Sequence, residues 1–131
     1  MKVSARRRKG FAHSITIGHH TLVVDEPEER GGADTGPTPG QLLAASLATC
    51  TAITVEMYAD RKGWDLGELE VDVDYEPDSS ERARHYEVVL RVPGDLDDEQ
   101  LESIETIAGK CPVHRALTGG QIEVTDRVER A

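Results

Sequence analysis

Hydrophobic residues recur along this chain in different rhythms, and each rhythm predicts its own kind of element. Ile15 and Ile17 alternate with polar residues before Gly18, and Leu22 and Val24 follow after it. A period of two marks strands, and the glycine supplies the positive φ of a tight turn, so residues 13–24 read as a β-hairpin. Residues 41–55, QLLAASLATCTAITV, contain no charge. Leu43, Leu47, Cys50, Thr54 and Met57 share one helical face there, while Ala, Leu, Ile and Val occupy the others. A helix that is apolar all round is buried on most sides, and this run falls short of the roughly 18–20 residues of a bilayer span. Pro39 is placed to start it and Gly63 to end it.

The alternation then returns. Leu69, Val71, Val73 and Tyr75 interleave with acids, and Tyr86, Val88, Leu90 and Val92 follow the same period, which predicts two half-buried antiparallel strands. Asp95 or Asp97 can cap a second helix whose inward face carries Leu101, Ile104, Ala108 and Cys111. Pro112 stops that helix or starts a new turn. Gly119 and Gly120 lead to a last strand holding Ile122 and Val124. Strands and helices in this order predict an α+β architecture, an antiparallel sheet packed with a central helix, in one domain over residues 1–131.

Between hairpin and helix lies DEPEERGGADTGPTPG, residues 25–40, too polar for a core and too rich in breakers for regular structure. Loops this long in compact domains are more often functional than idle. The whole chain has 131 residues, with 25 acidic and 15 basic side chains and a net charge of −10. That balance argues against nucleic acid or an anionic membrane as a partner, since both demand a basic surface. No apolar h-region follows the basic start, so the sequence predicts a cytoplasmic protein.

Candidate chemistry rests on two cysteines, Cys50 and Cys111. Either they are small core residues, or they form a pair that cycles between dithiol and disulfide. Neither a CxxC pair nor clustered histidines are present, so no metal or other cofactor is expected. A thiolate in an apolar helix needs a cation within reach. Arg6, Arg7, Arg8 and Lys9 supply one source and Arg30 another; the plainer reading of the basic run is a solvated tail.

The stretch GGADTGPTPGQLLAASLATCTAITVEMYADRKGW, followed much later by KCPVHRAL, resembles the OsmC/Ohr family of osmotically inducible and organic-hydroperoxide-resistance proteins. The resemblance covers nearly the whole chain. It implies an intertwined homodimer with two sites at the subunit interface, acting as a thiol-dependent peroxidase. Cys50 would be the peroxidatic thiol and Cys111 the resolving one. The family's Arg-x-Gly spacing falls on Arg8-Lys9-Gly10, which makes Arg8 the cation that holds the thiolate, with Arg30 as the alternative. The substrate would be an organic hydroperoxide and the reductant an external dithiol.

One departure stands out. The family carries a glutamate just after the proline that precedes the helix, where this chain has Gly40 and Gln41. Gln41 could hydrogen-bond the arginine instead, Glu28, Glu29 or Asp34 could substitute, or the pairing is absent. The departure also leaves room for a non-catalytic protein that senses redox state or binds an apolar ligand.

Overall fold

Gly18 turns the chain at φ 59°, and the hairpin predicted around it is present as β2 (Ala12–Ile17) and β3 (His20–Val24). They pair antiparallel from His13 opposite Val24 to Ile17 opposite His20. The computed structural model describes residues 1–78 and 82–130. A further strand, β1 (Val3–Lys9), lies on the outer side of β2 and makes the sheet order β1-β2-β3. The basic run is therefore strand and not a solvated tail. Its seven residues are all exposed, so no apolar alternation announced it; the backbone ladder to β2 holds it. Arg7 adds a hydrogen bond from Nε to the Gly10 carbonyl at 2.9 Å, across the turn that joins the two strands.

The polar loop after β3 is organised around Asp25, which is 1% exposed. Its carboxylate accepts hydrogen bonds from the backbone N–H groups of Glu26, Ala33 and Thr35 and from the Thr35 hydroxyl, the last at 2.6 Å. Its own N–H donates to the Pro37 carbonyl. Gly32 has a steric cause here, because a Cβ would collide with the Glu26 carbonyl. A single 3-10 turn, Glu28–Arg30, fills the middle.

Helix α1 follows as Pro39–Lys62, 24 residues, with Gly63 at φ 72° just beyond its end. Thr38 and Gln41 start it: Thr38 Oγ1 accepts from the Gln41 N–H at 3.1 Å, and Gln41 Oε1 accepts from the Thr38 N–H at 2.9 Å. This reciprocal pair satisfies two donors that a helix start leaves open. The charges at Glu56, Asp60, Arg61 and Lys62 lie on its last turns, and the helix starts at Pro39 and stops before Gly63, the two residues expected to bound it. By length and composition α1 is long and apolar enough to cross a membrane, yet 28% of its most apolar 18-residue stretch is buried within the chain. The buried stripe is Ala44, Leu47, Thr51, Val55 and Ala59, at spacings of three and four. The expected inward face shares only Leu47 with it. Leu43 and Met57 are 43% and 62% exposed, and Cys50 and Thr54 are half-buried.

The chain forms two compact units, Met1–Ala45 with Tyr75–Tyr86 and Ser46–Asp74 with Glu87–Ala131. The first contains the three-stranded sheet and the Asp25 loop. In the second, Val55 and Ala59 of α1 pack with Leu66, Ile104 and Ala108, and Tyr58, Trp64, Leu90 and Ile107 close around them. Ile104 is 2% exposed, so its truncation to alanine costs about 3 kcal/mol.

Strands β4 (Glu70–Pro77) and β5 (Ala83–Arg91) form a two-stranded sheet with Val71, Val73 and Tyr75 half-buried, as their alternation predicts. Helix α2 (Asp98–Ala108) takes Asp97 as its cap, in a capping box with Gln100. Helix α3 spans Pro112–Gly119. No strand forms at Ile122 and Val124, which are 64% and 79% exposed. A strand needs a neighbour's ladder, and among the described residues none pairs with this segment.

Candidate active site

Cys111 is fully buried and lies at the start of α3, not on the inward face of α2. The correction follows from Pro112. Proline at the first helical position favours an extended residue before it, so Cys111 adopts φ −63°, ψ 144° and becomes the N-cap. Its sulfur does what a serine oxygen does at such a cap, accepting the His114 N–H at 3.2 Å. A second polar contact comes from α1: Thr51 Oγ1 lies 3.7 Å from Cys111 Sγ, both residues buried. Thr51 is the residue after Cys50. The fold thus seats the second cysteine against the helical turn that carries the first.

Both cysteines are free thiols, Cys50 half-buried and Cys111 buried. On α1, Ile53 and Met57 stand three and seven residues beyond Cys50 and Leu43 seven before it, so they share its face. They are 50%, 62% and 43% exposed. Cys50 therefore sits in an apolar stripe that this chain leaves open. Among the described residues its sulfur has no hydrogen-bond partner or ion pair.

The basic candidates differ in what already holds them. Arg7 is tied to the Gly10 carbonyl. Arg30 is ion-paired through Nη1 with Glu26 Oε2 at 3.2 Å. Arg8 stands where the β1–β2 register shifts, between Arg7 opposite His13 and Lys9 opposite Ala12. Such a bulge turns a side chain out of the ladder's alternation. Among the described residues Arg8 makes no ion pair or side-chain hydrogen bond. Arg8 and Arg30 belong to the first unit, Cys50 and Cys111 to the second. Gln41 spends its side-chain carbonyl on the helix start, and a carboxylate that pairs with Arg30 is Glu26, which is not among the loop acids Glu28, Glu29 and Asp34 named from the sequence.

Sequence reasoning passed over Asp25, Thr51 and Glu26. Asp25 is held at a pKa of about 2, first by the Thr35 hydroxyl and then by three backbone N–H groups, against desolvation that pushes the other way. It is a buried carboxylate that organises a loop. Among the described residues no group of three or more His, Cys, Asp or Glu side chains could hold a metal ion.

An α+β chain with a long central helix and a cysteine pair drawn to it defines a class, and the family model described as OsmC-like protein matches residues 31–125. The chain belongs to the OsmC-like family. It is 29% identical over 119 residues to an uncharacterized protein of Haloferax volcanii, covering 89% of this chain and 86% of the other. The organic hydroperoxide resistance protein OhrB of Bacillus subtilis superposes with a TM-score of 0.62 at 26% identity, covering 92% and 93% of the two chains. A Psychrobacter arcticus protein described as an osmotic stress induced and detoxification response protein superposes with a TM-score of 0.81 at 19% identity, covering 88% and 87%; at that identity it speaks for the fold alone.

Proposed function

We propose that this protein is a thiol-dependent peroxidase that reduces organic hydroperoxides. The observation that carries the reading is Cys111 packed against Thr51, sixty residues away in sequence and adjacent to Cys50. Cys50 thiolate attacks the terminal peroxide oxygen, the O–O bond breaks, and the alcohol leaves with a proton. Cys50 is then a sulfenic acid. Cys111 attacks its sulfur, the S–O bond breaks, water departs and a disulfide remains, which an external dithiol reduces. The need for that dithiol fits a cytoplasmic protein.

Arg8 is the cation assigned to the Cys50 thiolate. Arginine keeps its charge when partly buried and presents separate N–H groups to sulfur and to oxygen. Among the described residues Arg8, unlike Arg7, has no side-chain hydrogen bond or ion pair already holding it, and the family's Arg-x-Gly spacing falls on Arg8 and not on Arg6. Leu43, Ile53 and Met57 beside Cys50 favour bulky apolar peroxides over hydrogen peroxide, and the same stripe is the surface a second copy covers in a homodimer.

A second reading has one observation in its favour. Gly40 and Gln41 replace the family glutamate, and Gln41 is occupied by Thr38. A protein without that carboxylate could sense redox state without turning over. Consumption of cumene or tert-butyl hydroperoxide by the purified protein with excess dithiol separates the two. Sustained turnover supports the peroxidase; a single oxidation event with no further consumption selects the sensor.

A further inference from the structure

Thr51 has no part in the chemistry written above, yet its hydroxyl is buried and has Cys111 Sγ as its contact at 3.7 Å. We infer that Thr51 is the positioning residue of the resolving step, an inference that rests on the peroxidase reading. The sulfur of Cys111 already accepts the His114 N–H, which fixes it at the start of α3. That donor serves thiol and thiolate alike, since a backbone N–H can only donate. A hydroxyl can rotate and do both. Facing the thiol, Thr51 Oγ1 accepts the S–H; facing the thiolate, it turns and donates its O–H. The buried sulfur thus keeps two polar partners through the loss of its proton, where a second fixed donor would leave the S–H without an acceptor and a fixed acceptor would face the thiolate charge.

The location adds a second role: Thr51 sits one residue after Cys50 on α1, so its contact holds Cys111 against the helical turn that carries Cys50. In the resolving step Cys111 Sγ forms a bond to Cys50 Sγ while the Cys50 S–O bond breaks and the oxygen leaves as water. The two sulfurs carry the two electrons that reduce the peroxide, and no other redox partner enters the step.

The test compares Thr51→Val, which keeps the shape, with Thr51→Ser, which keeps the hydroxyl. Reduced protein is mixed with one equivalent of cumene hydroperoxide and quenched over time, and Cys50 sulfenic acid, trapped by dimedone, is compared with disulfide. Thr51→Val should raise the ratio of trapped sulfenic acid to disulfide about fivefold, the factor carried by one ordinary hydrogen bond. Thr51→Ser should restore the parent ratio. A second arm needs no peroxide: in a Cys50→Ser background, the reaction of Cys111 with an aromatic disulfide should slow about fivefold on Thr51→Val and recover with Thr51→Ser. Equal rates in this arm overturn the assignment, as does a faster reaction that serine fails to reverse, because loosened packing exposes a thiol. Failure of the unmodified protein to consume any hydroperoxide overturns the peroxidase reading, and the second arm still decides the role of Thr51 toward Cys111.

Discussion

Thr51 Oγ1 and Cys111 Sγ meet at 3.7 Å across sixty residues of sequence, and that contact sets Cys111 against the turn of α1 that carries Cys50. Pro112 makes Cys111 an N-cap, the cap points its sulfur inward, and Thr51 receives it. The roles proposed for the thiols, which the family resemblance suggests, differ between them.

Cys50→Ser should abolish hydroperoxide turnover. Cys111→Ser should allow one oxidation of Cys50 and then stall at sulfenic acid, which a second equivalent of peroxide carries to sulfinic acid. Mass spectrometry after one equivalent of oxidant distinguishes the products. Turnover of Cys50→Ser at the parent rate would exclude the mechanism.

Arg8→Met should slow the first oxidation by about 10²-fold, the usual loss when one preorganised donor to a developing charge is removed. Arg30→Met should have a much smaller effect, since Arg30 is already paired with Glu26. Stopped-flow rates of peroxide consumption check both. A larger loss in the Arg30 variant would exchange their roles.

A stripe of Leu43, Cys50, Ile53 and Met57 on an apolar helix calls for cover, which is the part assigned to the proposed homodimer. Ile53→Glu should weaken the dimer about 10²-fold or more, because an unpaired buried charge costs about 3–5 kcal/mol. Light scattering at micromolar concentration reads the result. A parent protein that is a well-folded monomer under those conditions would contradict the dimer.

Asp25 predicts the acid limb of the stability profile. Its folded pKa of about 2 lies below the ordinary 3.8, so the folded state binds the proton less tightly than the unfolded chain. The stabilisation is present above about pH 4 and is lost as pH falls toward 2. Asp25→Asn should lower the melting temperature at neutral pH and flatten the profile between those values. Parallel profiles for the two proteins would remove Asp25 from the account.

Salt should stabilise the chain. The net charge is −10, and β4 exposes Glu70, Asp72, Asp74 and Glu76 in alternation, with Arg91 paired to Asp72 among them. Such neighbours stand about 7 Å apart, inside the screening length of about 10 Å at 0.1 M salt and outside that of about 3 Å at 1 M. Thermal melts should therefore shift upward between these concentrations. A downward shift would show that attractive pairs outweigh the repulsion.

Much of this was legible in the sequence because the signals were local. Gly18 between alternating residues gave the hairpin, the charge-free run gave α1, and Asp97 with Gln100 carried its capping box openly. The Thr38-x-x-Gln41 box was also readable and would have fixed both the start of α1 and the true employment of Gln41. Strand β1 was hidden, since a strand held only by backbone pairing leaves no hydrophobic trace. The face of α1 was misassigned because an apolar helix without polar sides has no phase to read. Thr51 could not be found at all from spacing, as its importance exists only once residue 111 lies beside it.

The central claim is that Cys50 and Cys111 act as one redox pair, and the most direct measurement is the state of the thiols after oxidation. Fully reduced protein should be treated with one equivalent of cumene hydroperoxide, digested without reductant and mapped by mass spectrometry. The account predicts a single intramolecular Cys50–Cys111 linked peptide formed in step with the release of cumyl alcohol. Cys111 recovered as a free thiol, with Cys50 left as sulfenic acid, would contradict it.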